Sequence, residues 1–284
     1  MKVAFKKVTI RSKKDKHFSI VPLGDIHLGN IGCDIEKFLE FVKYIKNTHN
    51  CYWIGMGDYI DAINYNDPRF DSRQVDPHYA VGLKGKDTIL CLEDMVHRQV
   101  DDFKRYIKPI RHKCLGLLTN NHEEVIRKYY MHDITNALAF DLGVPYLGYT
   151  AFFKLMIERL CKNDSRATSI SYVIYLSHGY GASRKSGAKI NRIEDACHFF
   201  DCDIVLMGHE HKKLYTTVSK LGITESKTPN LVYKKTVGVM TGCFLKGYVT
   251  NGQNYVEKAG YSPTDLGAVK IMIDGGEKNV HVSL

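Results

Sequence analysis

The eight cysteines of this 284-residue chain form no Cys-x-x-Cys pair and follow no regular spacing. The chain also lacks any apolar run near the roughly 18 residues of a membrane span. It shows no internal repeat and no low-complexity tract. Its basic first segment alternates as a strand would, with no apolar core and no small-residue cleavage site, so no signal peptide is expected. Cys33, Cys51, Cys91, Cys114, Cys161, Cys197, Cys202 and Cys243 mostly sit in apolar runs, as Cys51 does beside Tyr52 and Trp53. They read as reduced core residues of a cytoplasmic protein without a membrane partner.

What is present is an ordinary soluble composition, 44% hydrophobic and 25% charged, which allows a sizeable core without disulfides. The formal charge of +9 favours polyanionic partners such as nucleic acid or phosphorylated substrates, or else reflects a generally basic surface. Periodicity predicts strands over 3–12, 18–23, 51–56 and 114–118. It predicts helices over 34–48 and 88–107, and one or two more within 123–142. Further strands are expected at 151–160, 169–176, 203–207, 212–221, 231–245 and 267–273, interrupted by a helix near 187–200. The first half thus alternates strand and helix and the second is mostly strand. No linker separates them, so 1–284 reads as a single α/β domain with mixed sheets packed between helices.

Five polar motifs follow buried strands. They are Gly24-Asp25-Ile26-His27, Gly57-Asp58-Tyr59-Ile60-Asp61, Asn120-Asn121-His122-Glu123, Ser177-His178-Gly179 and Gly208-His209-Glu210-His211. Open α/β sheets gather their ligand sites at such strand ends. Imidazole and carboxylate together suit Mn, Fe or Zn. An Asp-x-His or His-x-His unit on extended backbone would turn both side chains to one cavity. One carboxylate can bridge two ions, and such a pair activates water and clamps phosphoryl oxygens.

In content and order, these five motifs resemble those of the calcineurin-like metallophosphoesterases, whose pattern is D-x-H, G-D-x-x-D, G-N-H-[DE], H and G-H-x-H. The resemblance runs from Asp25 to His211. It implies two mixed β-sheets packed together and flanked by helices, a four-layer sandwich. It also implies two divalent ions, Mn first among Mn, Fe, Zn and Mg. Asp25, His27 and His211 would hold one ion, Asn121, His178 and His209 the other, and Asp58 would bridge. His122 would donate a proton to the leaving oxygen or clamp the phosphate. Asn120 stands where the family has glycine, a place that often needs unusual backbone, which Asn tolerates. Asp61 and Glu123 match family positions and would orient ligand histidines; the alternatives are a helix-terminal acid or plain exposure.

Beyond the motifs, the loop from Gly179 to Gly187 carries Arg184 and Lys185 just past His178 and opens a helix, a setting suited to phosphate. Asn64, Tyr65, Asp67, Arg69, Phe70 and Arg73 on one side, and Lys246, Tyr248, Tyr255 and Tyr261 on the other, interleave aromatic and basic groups. Such groups can stack bases and pair phosphates, or pack a sheet edge. The run Lys6, Lys7, Arg11, Lys13, Lys14 and Lys16 reads as a solvated strand and turn. The expected function is hydrolysis of phosphoesters, leaning to nucleic-acid or nucleotide substrates. A phosphomonoesterase acting on protein or small molecules, and a non-catalytic scaffold relic, are the alternatives.

Overall fold

The computed structural model describes residues 1–10, 17–63, 67, 69–80, 88–159, 168–181, 183–250, 254–275 and 277–284. Arg11, Lys13, Lys14, Lys16, Asn64, Tyr65 and Cys161, and the side chains of Cys91 and Tyr255, lie outside the described residues. The first half runs β1 (Lys2–Ile10), β2 (His17–Leu23), α1 (Ile35–Asn47), β3 (Cys51–Gly55), α2 (Thr88–Ile107), β4 (Cys114–Leu118), α3 (Asn121–Tyr130) and α4 (Ile134–Leu142). The second runs β5 (Tyr146–Gly148), β6 (Thr150–Arg159), β7 (Thr168–Ser177), α5 (Ser186–Phe199), β8 (Ile204–Met207), β9 (Lys213–Ile223) and β10 (Leu231–Cys243). It closes with α6 (Tyr255–Lys258), β11 (Gly267–Ala268), β12 (Lys270–Asp274) and β13 (Val280–Ser283).

Two mixed sheets result. One has the order β13-β12-β2-β3-β4-β5, and the other β1-β6-β7-β8-β10-β11 with β9 also on β10. Alternation along each strand explains how they pack. Phe18 and Ile20 of β2, Ile174 and Leu176 of β7, and Ile204 and Leu206 of β8 fill one apolar layer between the sheets. The opposite faces of the same strands meet helices. Val21, Leu23 and Trp53 pack with Phe38 and Val42 of α1, Phe103 of α2 and Leu138 of α4. Tyr175, Val205 and Met207 pack under Ile193 and Cys197 of α5. The protein is therefore an α/β fold of two mixed sheets packed together and flanked by helices.

The helices start where local chemistry fixes them. Asp34 caps α1 by accepting from the Lys37 N–H at 3.0 Å, and Asp133 caps α4 through the Asn136 N–H at 2.8 Å. Gly143 ends α4 in the left-handed conformation (φ 66°). Among the described residues, Cys51, Cys114, Cys197, Cys202 and Cys243 are free and buried, and Cys33 is free and partly buried. Burial pushes the Cys243 thiol up to about 12. No helix among the described residues is long and apolar enough to cross a membrane.

Topology positions the motifs. Strands β2, β3 and β4 are mutually parallel, as are β7 and β8. The C-terminal ends of these five strands gather on one rim, where the two sheets meet.

Candidate metal centre

Strands β2, β3 and β8 release their motifs through turns that few residues tolerate. Asp25, His27, Asp58, His209 and His211 all have positive φ, between 49° and 69°. The extended backbone expected for Asp25-Ile26-His27 and His209-Glu210-His211 is therefore replaced by left-handed residues. For a non-glycine residue this costs about 1–2 kcal/mol, and such strain clusters where structure serves function. Asn120 shows the reverse, with ordinary extended backbone (φ −150°, ψ −175°). Gly57 takes φ +92°, and a Cβ there would lie 2.8 Å from both Asn120 Cβ and His178 Nδ1. Its bare backbone lets these side chains close over Asp58.

The side chains converge. His27 Nε2 and His211 Nε2 are 3.3 Å apart, and His211 Nε2 is 3.3 Å from Asp25 Oδ1. Across the centre, Asp58 Oδ2 lies 3.5 Å from His178 Nε2 and 3.7 Å from His27 Nε2. His178 Nε2 lies 3.2 Å from His209 Nδ1. Asp25, His27 and His211 form one group able to hold a cation, and Asp58, His178 and His209 form another.

Hydrogen bonding fixes which nitrogens are free. A carbonyl oxygen only accepts, so His178 Nδ1–H donates to Met56 O at 2.6 Å and His209 Nε2–H donates to Gly181 O at 2.9 Å. Their other nitrogens, His178 Nε2 and His209 Nδ1, face each other. Burial holds His27 and His209 below the ordinary imidazole range; the neighbouring imidazoles add to this and the nearby carboxylates oppose it. Burial opposes ionisation of Asp25, yet His178 and His211 outweigh it and hold that carboxyl below its usual range. A similar balance holds Asp58 below its usual range, His122, His178 and His27 outweighing burial. Neutral imidazoles beside ionised carboxylates are the protonation states a metal requires.

A cation fits this arrangement on two grounds. Asp25 Oδ1 is fully buried and has no hydrogen-bond partner among the described residues. Unshared pairs also face one another at 3.2–3.7 Å. Ligand atoms that sit about 2.1 Å from a common ion are separated by about 3.0–3.5 Å.

The amide that reaches the centre is Asn120. Its Nδ2 lies 2.5 Å from both Asp58 Oδ1 and His178 Nε2, and a flip of the amide would present Oδ1 at the same place. Asn121 begins α3, is exposed, and lines the adjoining cavity. His122 is buried at the same rim. Its Nδ1–H donates to Asp61 O at 2.5 Å, while its Nε2 accepts from Arg69 Nη1 at 3.3 Å and lies 4.0 Å from Asp58 Oδ2.

Supporting acids divide their tasks. Asp61 Oδ1 stands 3.5 Å behind His27 Nδ1, a buried nitrogen that has no hydrogen-bond partner among the described residues. Glu123 orients no histidine. Its carboxylate accepts from the backbone N–H groups of Asp58 (3.3 Å) and Tyr59 (2.7 Å), tying α3 to the turn after β3. Burial, with the Asp58 charge beside it, pushes the Glu123 carboxyl up. Glu210 is gripped from α5 by Lys189 (3.0 Å) and Arg192.

A cavity of about 420 Å³ opens on His27, Asp58, His209 and His211. Arg69, Arg184, Lys189 and Lys212 bring positive charge to it, and Ile63, Val256, Tyr261 and Pro263 bring apolar surface. Arg184 donates Nη2 to Ala259 O at 2.7 Å and lies 5.7 Å from the Tyr261 ring centroid. Lys185 stands outside the cavity, exposed at the N-cap of α5. Arg73 is tied to Asp71 and Lys246 to Asp34, and Tyr248 donates to Tyr261 O at 2.8 Å. Sequence reasoning missed Asn120 as the inward amide and the cavity-lining Lys212. The signal available for Asn120 was the helix start: Glu123 and Glu124 fill a first turn, which makes Asn120 the cap and turns Asn121 outward.

Comparison with protein-family models and with curated proteins finds no match. Among solved structures, the chain is similar to a conserved uncharacterized protein, a predicted phosphoesterase, from Streptococcus pneumoniae TIGR4. The two share 10% identity over 94% of this chain and 88% of the other, with a TM-score of 0.34.

Proposed function

We propose that this chain is a hydrolase of phosphoesters working with two divalent metal ions, Mn foremost. Asp25, His27 and His211 would hold one ion and Asn120, His178 and His209 the other, with the Asp58 carboxylate between them. The observation that carries this reading is the convergence of unprotonated imidazole nitrogens and carboxylate oxygens, including the orphaned Asp25 Oδ1, on one cavity floor.

Bound ions at such a centre supply an activated water and offset phosphoryl charge. The chain's own groups do the rest. The Met56 and Gly181 carbonyls fix the rings of His178 and His209, and Asp61 stands 3.5 Å behind that of His27. Glu123 holds the Asp58 turn. His122, with Nδ1–H fixed on Asp61 O, can carry a proton on Nε2 to a departing alkoxide. A nucleotide or nucleic-acid phosphodiester is the favoured substrate. The +9 charge, the cavity cations and the apolar wall of Val256, Tyr261 and Pro263 support that choice.

The test is hydrolysis of bis(4-nitrophenyl) phosphate and 4-nitrophenyl phosphate with Mn added. Turnover should appear with Mn, vanish in chelator, and favour the diester. Full turnover in excess chelator, after dialysis shown to remove metal, contradicts the metal mechanism. Turnover of the monoester alone contradicts the diester assignment.

A further inference from the structure

Of the cations that line the cavity, Arg69 is the one hydrogen-bonded to His122. Lys189 is engaged by Glu210, and Arg184 by Ala259 O. Arg69 is held differently. Its Nε and Nη2 donate to the two carboxylate oxygens of Asp67 at 3.0 and 2.7 Å, and its backbone N–H donates to the same carboxylate at 2.8 Å. Asp67 is buried, whereas the Arg69 side chain is 42% exposed. This hook uses one edge of the planar fork and aims the remaining corner, Nη1, at the centre, where it donates to His122 Nε2. The Asp67 hydrogen bond raises the guanidinium pKa against burial, and Asp58 and Asp61 add to it, so the charge is permanent.

The contact Arg69 makes is a weak use of such an arrangement. At 3.3 Å the guanidinium contact to the ring nitrogen is longer than the roughly 2.7–2.9 Å of a guanidinium bond to an anionic oxygen. A preorganised donor aimed at the place where anionic charge arrives has its greatest effect, and Asp67 supplies that preorganisation. The Arg69 hydrogen bond reaches His122, whose Nε2 lies 4.0 Å from Asp58 Oδ2.

We infer that Arg69, aimed by Asp67, is a phosphate-binding residue of this site, its Nη1 leaving His122 Nε2 for a non-bridging oxygen of the substrate's phosphate. The inference rests on the phosphoester reading. Because Nε and Nη2 stay on Asp67, Arg69 grips the phosphate through Nη1 alone.

Binding of inorganic phosphate to the Mn-loaded protein, read by calorimetry with metal counted in each sample, tests this without turnover. Arg69→Ala should weaken phosphate by about tenfold or more, the effect of losing a charge-assisted hydrogen bond, with metal content unchanged. Asp67→Asn should lose less, since the guanidinium remains but is no longer aimed. Arg69→Lys guards against a misfolded alanine variant: it keeps the charge but cannot bridge Asp67 and phosphate, so it should also bind phosphate more weakly. Wild-type affinity in either folded Arg69 variant overturns the inference alone, as does loss of metal together with phosphate. A wild-type protein that takes up metal but binds no phosphate overturns both the inference and the reading beneath it.

Discussion

Asp58 combines a left-handed backbone (φ 52°) with a carboxylate facing His27, His178 and His122. Its conformation is tolerable because Glu123 accepts its N–H and Gly57 leaves room beside it. His122 is the residue whose role is easiest to isolate, since Asp61 O fixes its ring from behind. Proton donation matters most for poor leaving groups. His122→Ala should therefore slow an alkyl phosphoester by roughly 10²–10⁴-fold and a nitrophenyl ester much less, with metal content unchanged. Steady-state kcat for the two esters on one folded variant decides this. Equal losses would mean that His122 packs the rim rather than moves a proton. Residue types and their order were legible from the sequence. Which of two adjacent asparagines turns inward was not, because that depends on where α3 begins. Nor was the left-handed backbone of the Asp-x-His and His-x-His units, since it is imposed by packing at the strand ends.

At the scale of elements, α1 and α2 fall where apolar periodicity places them, because each buries one face, and β4 falls on its apolar run, because both of its faces are buried. The three-residue β5 and the C-terminal β13 escape such reading, being too short to show a period. Pairing is harder still. The N-terminal β1 joins β6 in the sheet of the second half, and β12 near the C-terminus joins β2 in the sheet of the first. No local pattern encodes that exchange. Helix α5 matters to the centre because Lys189 and Arg192 hold Glu210 between two candidate ligands. Its seat is Gly238 of β10, where a Cβ would come within 2.1 Å of Ile193 Cγ2 and 2.8 Å of Cys197 Sγ. Gly238→Ala must push α5 outward, at a cost of about 1–3 kcal/mol. A lowered urea midpoint with an unchanged slope is expected; an unchanged midpoint would show that α5 is seated elsewhere.

Across the whole molecule, two sheets that share one apolar layer bring the ends of β2, β3 and β4 against those of β7 and β8. That apposition sets Asp25 beside His211 and Asp58 beside His178, although each pair is far apart in sequence. On the proposed reading these residues would hold two ions, with Asp58 between them. Native mass spectrometry of protein stripped by chelator and reloaded with Mn counts the ions directly, in the wild type and in Asp58→Asn and His27→Ala. The wild type should take up two. His27→Ala should weaken one of them, and Asp58→Asn should weaken both. A wild type that retains no ion, or an Asp58→Asn protein that still holds two tightly, would contradict the account.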